Sequence, residues 1–286
     1  MSRTAEEPRT AADPAAEPVA DSVPAPEPGS EASGGGARRR WRALALGAVV
    51  PLLLLALWQW AAATGVYNAA QLPPPAAVAA AFASLVERGD MWLHIAISLQ
   101  RVLLGFLWGS AIGVAAGGLV GLLPLARDLL APTVQAVRAV PSLAWVPLLV
   151  LWLGIGEGPK VVLIAIGAFF PVYTTVSSAL AHQDRGLIEV GRAYGLRGAE
   201  LFVRVLLPAS APAVLAGLRL ALAQSWLFVV AAELIASTMG IGFLLTNSQN
   251  TGRTDILLLA IVLLALLGKA TDALLGLVER RVAATR

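Results

Sequence analysis

The sequence predicts an all-α, polytopic membrane protein with about six transmembrane helices. It is 57% hydrophobic and 14% charged, far from the composition of soluble domains. Apolar runs of about 20 residues recur, each long enough to cross a bilayer core as a helix. In lipid every backbone polar group needs an internal partner, so spans are helices or a closed barrel. The runs are continuous, unlike the alternating segments of a barrel.

Residues 1–37 hold seven acids and two arginines among Pro, Ala and Ser, a composition too polar to offset ordering entropy. They read as a disordered cytoplasmic tail, and residues 38–286 as the membrane domain. Arg38-Arg39-Arg40-Trp41-Arg42 precedes the first span, about 43–64. Ala61-Ala62-Ala63 imitates a signal cleavage site, but the apolar run is long and preceded by a tail, so an uncleaved anchor is expected. Pro73-Pro74-Pro75 stiffens the following loop. Val78, Phe82 and Leu85 at i, i+4 and i+7 predict a short amphipathic helix over 76–88 at the membrane interface.

The second span, about 94–123, carries Gly105, Gly109, Gly113, Gly117 and Gly121 at four-residue intervals, a ridge that lets another helix approach backbone to backbone. A turn over Pro124–Asp128 leads to the third span, about 129–153, where Pro132, Pro141 and Pro147 predict kinks. After a Gly-rich loop at 154–159 come the fourth span (about 160–181), a polar island (182–208), and the fifth span (about 210–237). A Gly, Asn and Thr-rich loop at 238–254 precedes the sixth span, about 255–278. No internal repeat supports an inverted-repeat transporter.

Lys and Arg set orientation. With the N-terminus inside, the Arg38–Arg42 flank, the 124–128 turn, the island and the C-terminus hold four, one, four and three basic residues. The outer segments hold Arg88, Lys160 and Arg253. Both termini and the island are therefore expected in the cytoplasm. The absence of Cys excludes disulfides and thiolate sites, and His94 and His182 match no metal-ligand spacing. The basic residues flank spans, which is topology rather than nucleic-acid recognition.

Within the island, Asp184 is a candidate N-cap, and Leu187, Val190, Gly191 and Tyr194 fall on one face of the helix it starts. Gly195 stands where a left-handed C-cap residue is expected. A second helix, about 198–207, runs into Pro208, which suits the first turn of the fifth span. The residues alone leave two tasks open for this elbow. It transmits force from a soluble partner, or it is an amphipathic loop on lipid headgroups with Glu189 paired to Arg192 or Arg185.

The order Glu189-Val190-Gly191, three residues, Gly195, nine residues, Val205, one residue, Leu207-Pro208 resembles the EAA loop of ATP-binding-cassette importer permeases. Val190 and Gly191 replace that pattern's two alanines and Val205 its Ile, while every spacing holds. Further segments are similar to permeases for sulfonate, taurine and nitrate uptake: Ser98–Arg101, Arg138–Pro147, Gly154–Glu157, Gly167–Tyr173, Ala231–Glu233, Arg253–Asp255 and Leu267–Asp272. The resemblance spans about 70–280. It implies a type I importer permease core in a bacterial inner membrane, as a permease homodimer with cytoplasmic ATPase subunits and an extracytoplasmic solute-binding protein. Glu189, Val190, Gly191, Ala193, Tyr194, Gly195, Leu196, Leu207 and Pro208 would form the ATPase-coupling site. The solute would be a small anion such as an aliphatic sulfonate, taurine or nitrate. The alternative is an ATP-independent channel or secondary carrier.

No catalysis is expected of this chain. Gly268-Lys269 has Leu263 where a phosphate loop needs its first Gly, so ATP-Mg belongs to the partner. No cofactor or metal is expected here. Charges within spans suggest function, and depth pairs Arg101 with Glu233, and Asp272 with Arg219 or Arg138. Arg101, Pro141, Ser142, Trp145, Gln224, Trp226 and Glu233 are candidate pathway residues, since kinks and polar atoms belong beside cavities. The charges equally suit helix pairing, and the Trp residues packing.

Overall fold

Every regular element in the computed structural model, which describes residues 35–284, is helical among those residues. The predicted tail at 1–37 lies outside them except for its last three residues. Those already belong to α1 (Gly35–Ala63), because Ala37 and the following arginines are good helix formers. The chain divides into two units at Leu53/Leu54, within α1. The first contains, among the described residues, only the opening turns of α1. The second contains the remaining helices.

α2 (Pro75–Glu87) starts with Pro at its first position, where the missing N–H is no loss. It buries Val78, Ala81 and Leu85, while Phe82 is 43% exposed. The buried stripe thus runs through Ala81 and not through Phe82 as the sequence suggested. The small side chain admits α12 (Thr254–Ala284), whose Leu259, Ala260 and Leu263 share this cluster.

α3 (Asp90–Leu122) is 33 residues, about 50 Å. Its glycine ridge meets α6 (Glu157–Ala181) in strict register. A Cβ at Gly105, Gly109, Gly113, Gly117 or Gly121 would collide with Ile164, Ala168, Val172, Val176 or Leu180 respectively. Both series advance by four residues in the same direction, so α3 and α6 are parallel neighbours packed backbone to backbone. On its other side α6 receives α10 (Ala211–Ala236), antiparallel, with Gly167 against Phe228 and Thr175 against Gly217. α6 is the centre of the bundle.

The predicted third span is two helices, α4 (Pro124–Ala139) and α5 (Val146–Leu153), set at 89° around a 3-10 turn at Ser142–Trp145. Val140 is extended at ψ 124°, as a residue before proline prefers, and Pro141 follows at ψ 121°. Two consecutive extended residues end the helix instead of merely kinking it. Among the described residues five helices are long and apolar enough to span a membrane each, or there are six spans if the bent pair counts as one. Two predicted loops are shorter than expected. α4 already begins at Pro124, and α6 at Glu157, which puts Lys160 in a helix and buries it. A further helix, α11 (Ile241–Asn250), occupies most of the predicted 238–254 loop. Its buried Ile241, Leu244 and Ser248 have helical spacing, masked in the sequence by the surrounding Gly and Asn.

Candidate functional site

The island folds as an elbow. Asp184 accepts a hydrogen bond from Gly186 N at 2.9 Å and caps α7 (Arg185–Ala193). Gly195 has φ +82°. Gly195 N donates to Arg192 O at 2.9 Å and Leu196 N to Gly191 O at 3.1 Å, the paired bonds of a Schellman termination. Chain direction then reverses into α8 (Gly198–Leu201), a π-helical turn (Phe202–Leu206) and α9 (Leu207–Ala209). Pro208 therefore lies in α9 and not in the fifth span, which opens at Ala211 with Pro212 in its first turn.

The inner face of the elbow is locked. A Cβ on Gly191 would strike Leu201 and approach Val205, so this position must be small for the two arms to close. Leu187, Ile188, Leu196, Leu201, Val205, Leu206 and Leu207 pack on Val172, Val176 and Leu180 of α6 and Val214 of α10. Ser210 Oγ donates to Gln183 Oε1 at 3.1 Å, tying the end of the elbow to its start. The sequence did not single out that pair. Val190 and Tyr194 do not share the buried face with Leu187 and Gly191 as expected; they are 55% and 83% exposed. Glu189, Ala193, Gly195 and Pro208 are exposed too. Among the described residues Glu189 has no ion pair, with Arg185, Arg192 or any other residue.

A second cluster gathers four helices around Arg101. Its guanidinium donates through Nε and Nη2 to both oxygens of Glu157 at 2.5 and 2.7 Å, and through Nη1 to Glu233 Oε1 and Met239 O, each at 2.7 Å. Lys160 Nζ adds a bond to Glu157 at 3.0 Å. Glu233 also accepts from Ser98 Oγ at 2.7 Å and from Gly242 N at 2.7 Å. Ser98 Oγ in turn accepts from Ile241 N at 2.8 Å. Glu233 thus receives the start of α11, a helix end whose N–H groups have no internal partner and favour negative charge. A Cβ on Gly240 (φ +121°) or Gly242 would run into the Glu233 side chain, so both positions exclude one. His94 Nδ1 faces Gly240 N at 3.0 Å, which makes Nδ1 the acceptor and leaves the proton on Nε2.

Two basic and two acidic groups balance in this cluster, and Arg101, Lys160 and Glu233 are buried. The expected Arg101–Glu233 pair is present. Glu157, read from the sequence only as part of a resembling segment, is the missing partner, brought in because α6 starts earlier than expected. The hydrogen-bonding capacity of Arg101 and Glu233 is largely consumed by protein groups, so they act as a clamp joining α3, α6, α10 and α11. The other expected pair also forms: Arg219 holds Asp272 through two bonds at 2.9 and 3.0 Å, with Glu279 at 3.1 Å. Arg138 is not part of it.

The remaining candidate pathway residues do not converge. Trp226 is a core residue whose indole donates to Thr271 Oγ1 at 2.9 Å. Gln224 is half-buried on α10 with no hydrogen-bond partner among the described residues. Pro141 and Ser142 stand at the α4–α5 break. Trp145, beside them, lines a cavity of about 770 Å³ between α3, α4 and α6.

Comparison with known proteins agrees with this architecture. Residues 109–284 match the family described as binding-protein-dependent transport system inner membrane component. The chain is 39% identical to the putative aliphatic sulfonates transport permease protein of Escherichia coli K12, over 81% of this chain and 88% of that one. It is 33% identical to the taurine transport system permease protein of the same organism, over 80% and 86%. Among solved structures, the inward-facing MetNI methionine ABC transporter superposes with a TM-score of 0.60 at 22% identity, covering 68% of this chain and 98% of that one. The ATP-independent channel or carrier, the alternative left by the sequence, has no counterpart in these matches. The chain belongs to the binding-protein-dependent transport system inner membrane component family and is a multi-pass permease subunit of an ATP-driven importer.

Proposed function

We propose that this permease carries small organic anions of the sulfonate and taurine type and is driven through its elbow by a separate cytoplasmic ATPase. The observation that carries the coupling role is the elbow's division into a locked and an open face. Val190 and Tyr194 project from a helix capped at both ends, while its other side is anchored in α6 and α10. A side chain pushed at Tyr194 therefore moves the centre of the bundle rather than a loose loop. The substrate class is supported by the sulfonate and taurine relatives.

In the complete transporter two copies of the chain line the pathway, two ATPase subunits bind and hydrolyse ATP-Mg beneath the elbows, and an extracytoplasmic binding protein delivers solute. The chain itself performs no hydrolysis and holds no cofactor. Both termini and the elbow face the cytoplasm, in keeping with the Lys and Arg distribution. ATP shifts the inward–outward equilibrium because the ATPase dimer binds it with different affinity in its two states. Pull-down of the ATPase by the tagged permease tests this. Tyr194→Asp is expected to abolish co-purification and leave the permease's thermal midpoint unchanged, since Tyr194 is 83% exposed. Undiminished ATPase recovery with both Tyr194→Asp and Val190→Asp would sink the docking role.

A further inference from the structure

The cavity beside Trp145 adjoins a second one along the same α4–α6 groove, and Val134 lines both. The two have opposite chemistry. The first, about 770 Å³, is walled by Trp108, Phe169 and Phe170 and is nearly devoid of polar surface. The second, about 350 Å³, contains Arg127 and Arg138 from α4 and Tyr173 and Ser178 from α6. Among the described residues no carboxylate lines it. Among the described residues neither arginine has an ion pair, and the Tyr173 and Ser178 hydroxyls have no hydrogen-bond partner. Both volumes fall in the ordinary range of small-molecule sites, which are largely apolar with a few polar groups fixing orientation.

The α4 lining of the second cavity has helical spacing. Arg127, Ala131, Val134 and Arg138 follow at intervals of four, three and four and stand on one side of the helix. On α6 the switch falls between Phe170 and Tyr173, one turn apart. The groove is therefore amphipathic along its length, with an aromatic half and a cationic half.

We propose that this groove is an intramembrane site for a tailed organic anion. The alkyl or aryl part lies against Trp108, Phe169 and Phe170, and a sulfonate-like oxyanion lies in the half lined by Arg127 and Arg138, with the Tyr173 and Ser178 hydroxyls as donors. Arg suits this task because its planar fork matches oxyanion geometry and it stays charged in an apolar setting. The inference rests on the permease being a carrier of organic anions, and it adds that the permease itself discriminates, favouring anions with a tail over bare inorganic ones.

The test is calorimetric binding to the full-length permease in phosphatidylcholine nanodiscs, with hexanesulfonate, ethanesulfonate and nitrate as probes. Four extra methylenes set a ceiling of about two hundredfold on the gain in affinity if fully buried. In this open groove we expect hexanesulfonate to bind about tenfold more tightly than ethanesulfonate, with nitrate weaker than both. Arg127→Gln/Arg138→Gln should weaken hexanesulfonate at least about tenfold, and Arg127→Lys/Arg138→Lys, which keeps the charge but not the planar fork, should restore only part of it. Ile112→Trp, which fills the aromatic half, should cost hexanesulfonate more than ethanesulfonate. Equal affinity for the two sulfonates, or hexanesulfonate binding unaffected by the double Gln variant, overturns the proposal. So does loss of hexanesulfonate binding on adding phosphatidylglycerol to the discs, which makes the groove a lipid-headgroup site. Because no ATPase is present, undiminished ATPase recovery by the two elbow variants together with intact sulfonate binding refutes the coupling reading alone.

Discussion

Replacing Glu233 by Gln asks how much the buried clamp holds together. The substitution keeps shape and removes charge. One amide oxygen remains to serve Arg101 Nη1, Ser98 Oγ and Gly242 N, which now meet both oxygens at 2.7 to 2.9 Å. The new NH₂ must face one of these donors, leaving at least one without an acceptor. Arg101 and Lys160 also lose half of their compensating charge. Breaking a buried pair from one side costs about 3–5 kcal/mol. At about 2–4 °C per kcal/mol for a chain of this size, the thermal midpoint in detergent should fall by about 10 °C. Arg101→Glu/Glu233→Arg should not restore it. The swapped Glu would face Glu157, and the swapped Arg would face the N–H groups that open α11. A midpoint within about 3 °C of the parent for Glu233→Gln, or full recovery in the swap, would refute the clamp reasoning.

Gly113→Leu should prevent a monodisperse folded protein in size-exclusion chromatography, because even a Cβ there lies 2.9 Å from Val172 Cβ; Gly47→Ala, with open space around it, should elute as the parent. Gly195→Ala should lower stability by about 1–2 kcal/mol through its left-handed φ alone, since no neighbour approaches that position; a loss above about 3 kcal/mol in a denaturant titration would mean the site is also sterically closed. Trp226→Phe should leave solute uptake rates unchanged and cost about 1 kcal/mol for the lost Thr271 bond. A changed substrate preference in uptake would place Trp226 in the pathway.

The elbow shows how far local signals reach. Asp184 and Gly195 announced the two ends of α7, because caps depend on a residue's own conformational preference and its nearest backbone. Which side of α7 faces inward was not legible, since Leu187, Val190, Gly191 and Tyr194 are all compatible with one face. The choice was made by Leu201 and Val205 arriving from the second arm. The third span failed for the opposite reason. Pro141 marked a kink and biases Val140 toward the extended form, but the right angle also needed Pro141 itself to be extended at ψ 121°, and proline's ring fixes φ and not ψ.

The sequence by itself determined the class of molecule: apolar runs of span length, a glycine ridge at four-residue intervals, and the spacing from Glu189 to Pro208 are properties of order along the chain. Tertiary structure alone decided what the charges are for. Arg101, Glu157 and Glu233 are separated by 56 to 132 residues, and only the parallel packing of α3 on α6, with α11 folded back over α10, brings them within hydrogen-bond distance. Burial then makes the pairing obligatory, because an ionised group removed from water must find its partner within the protein.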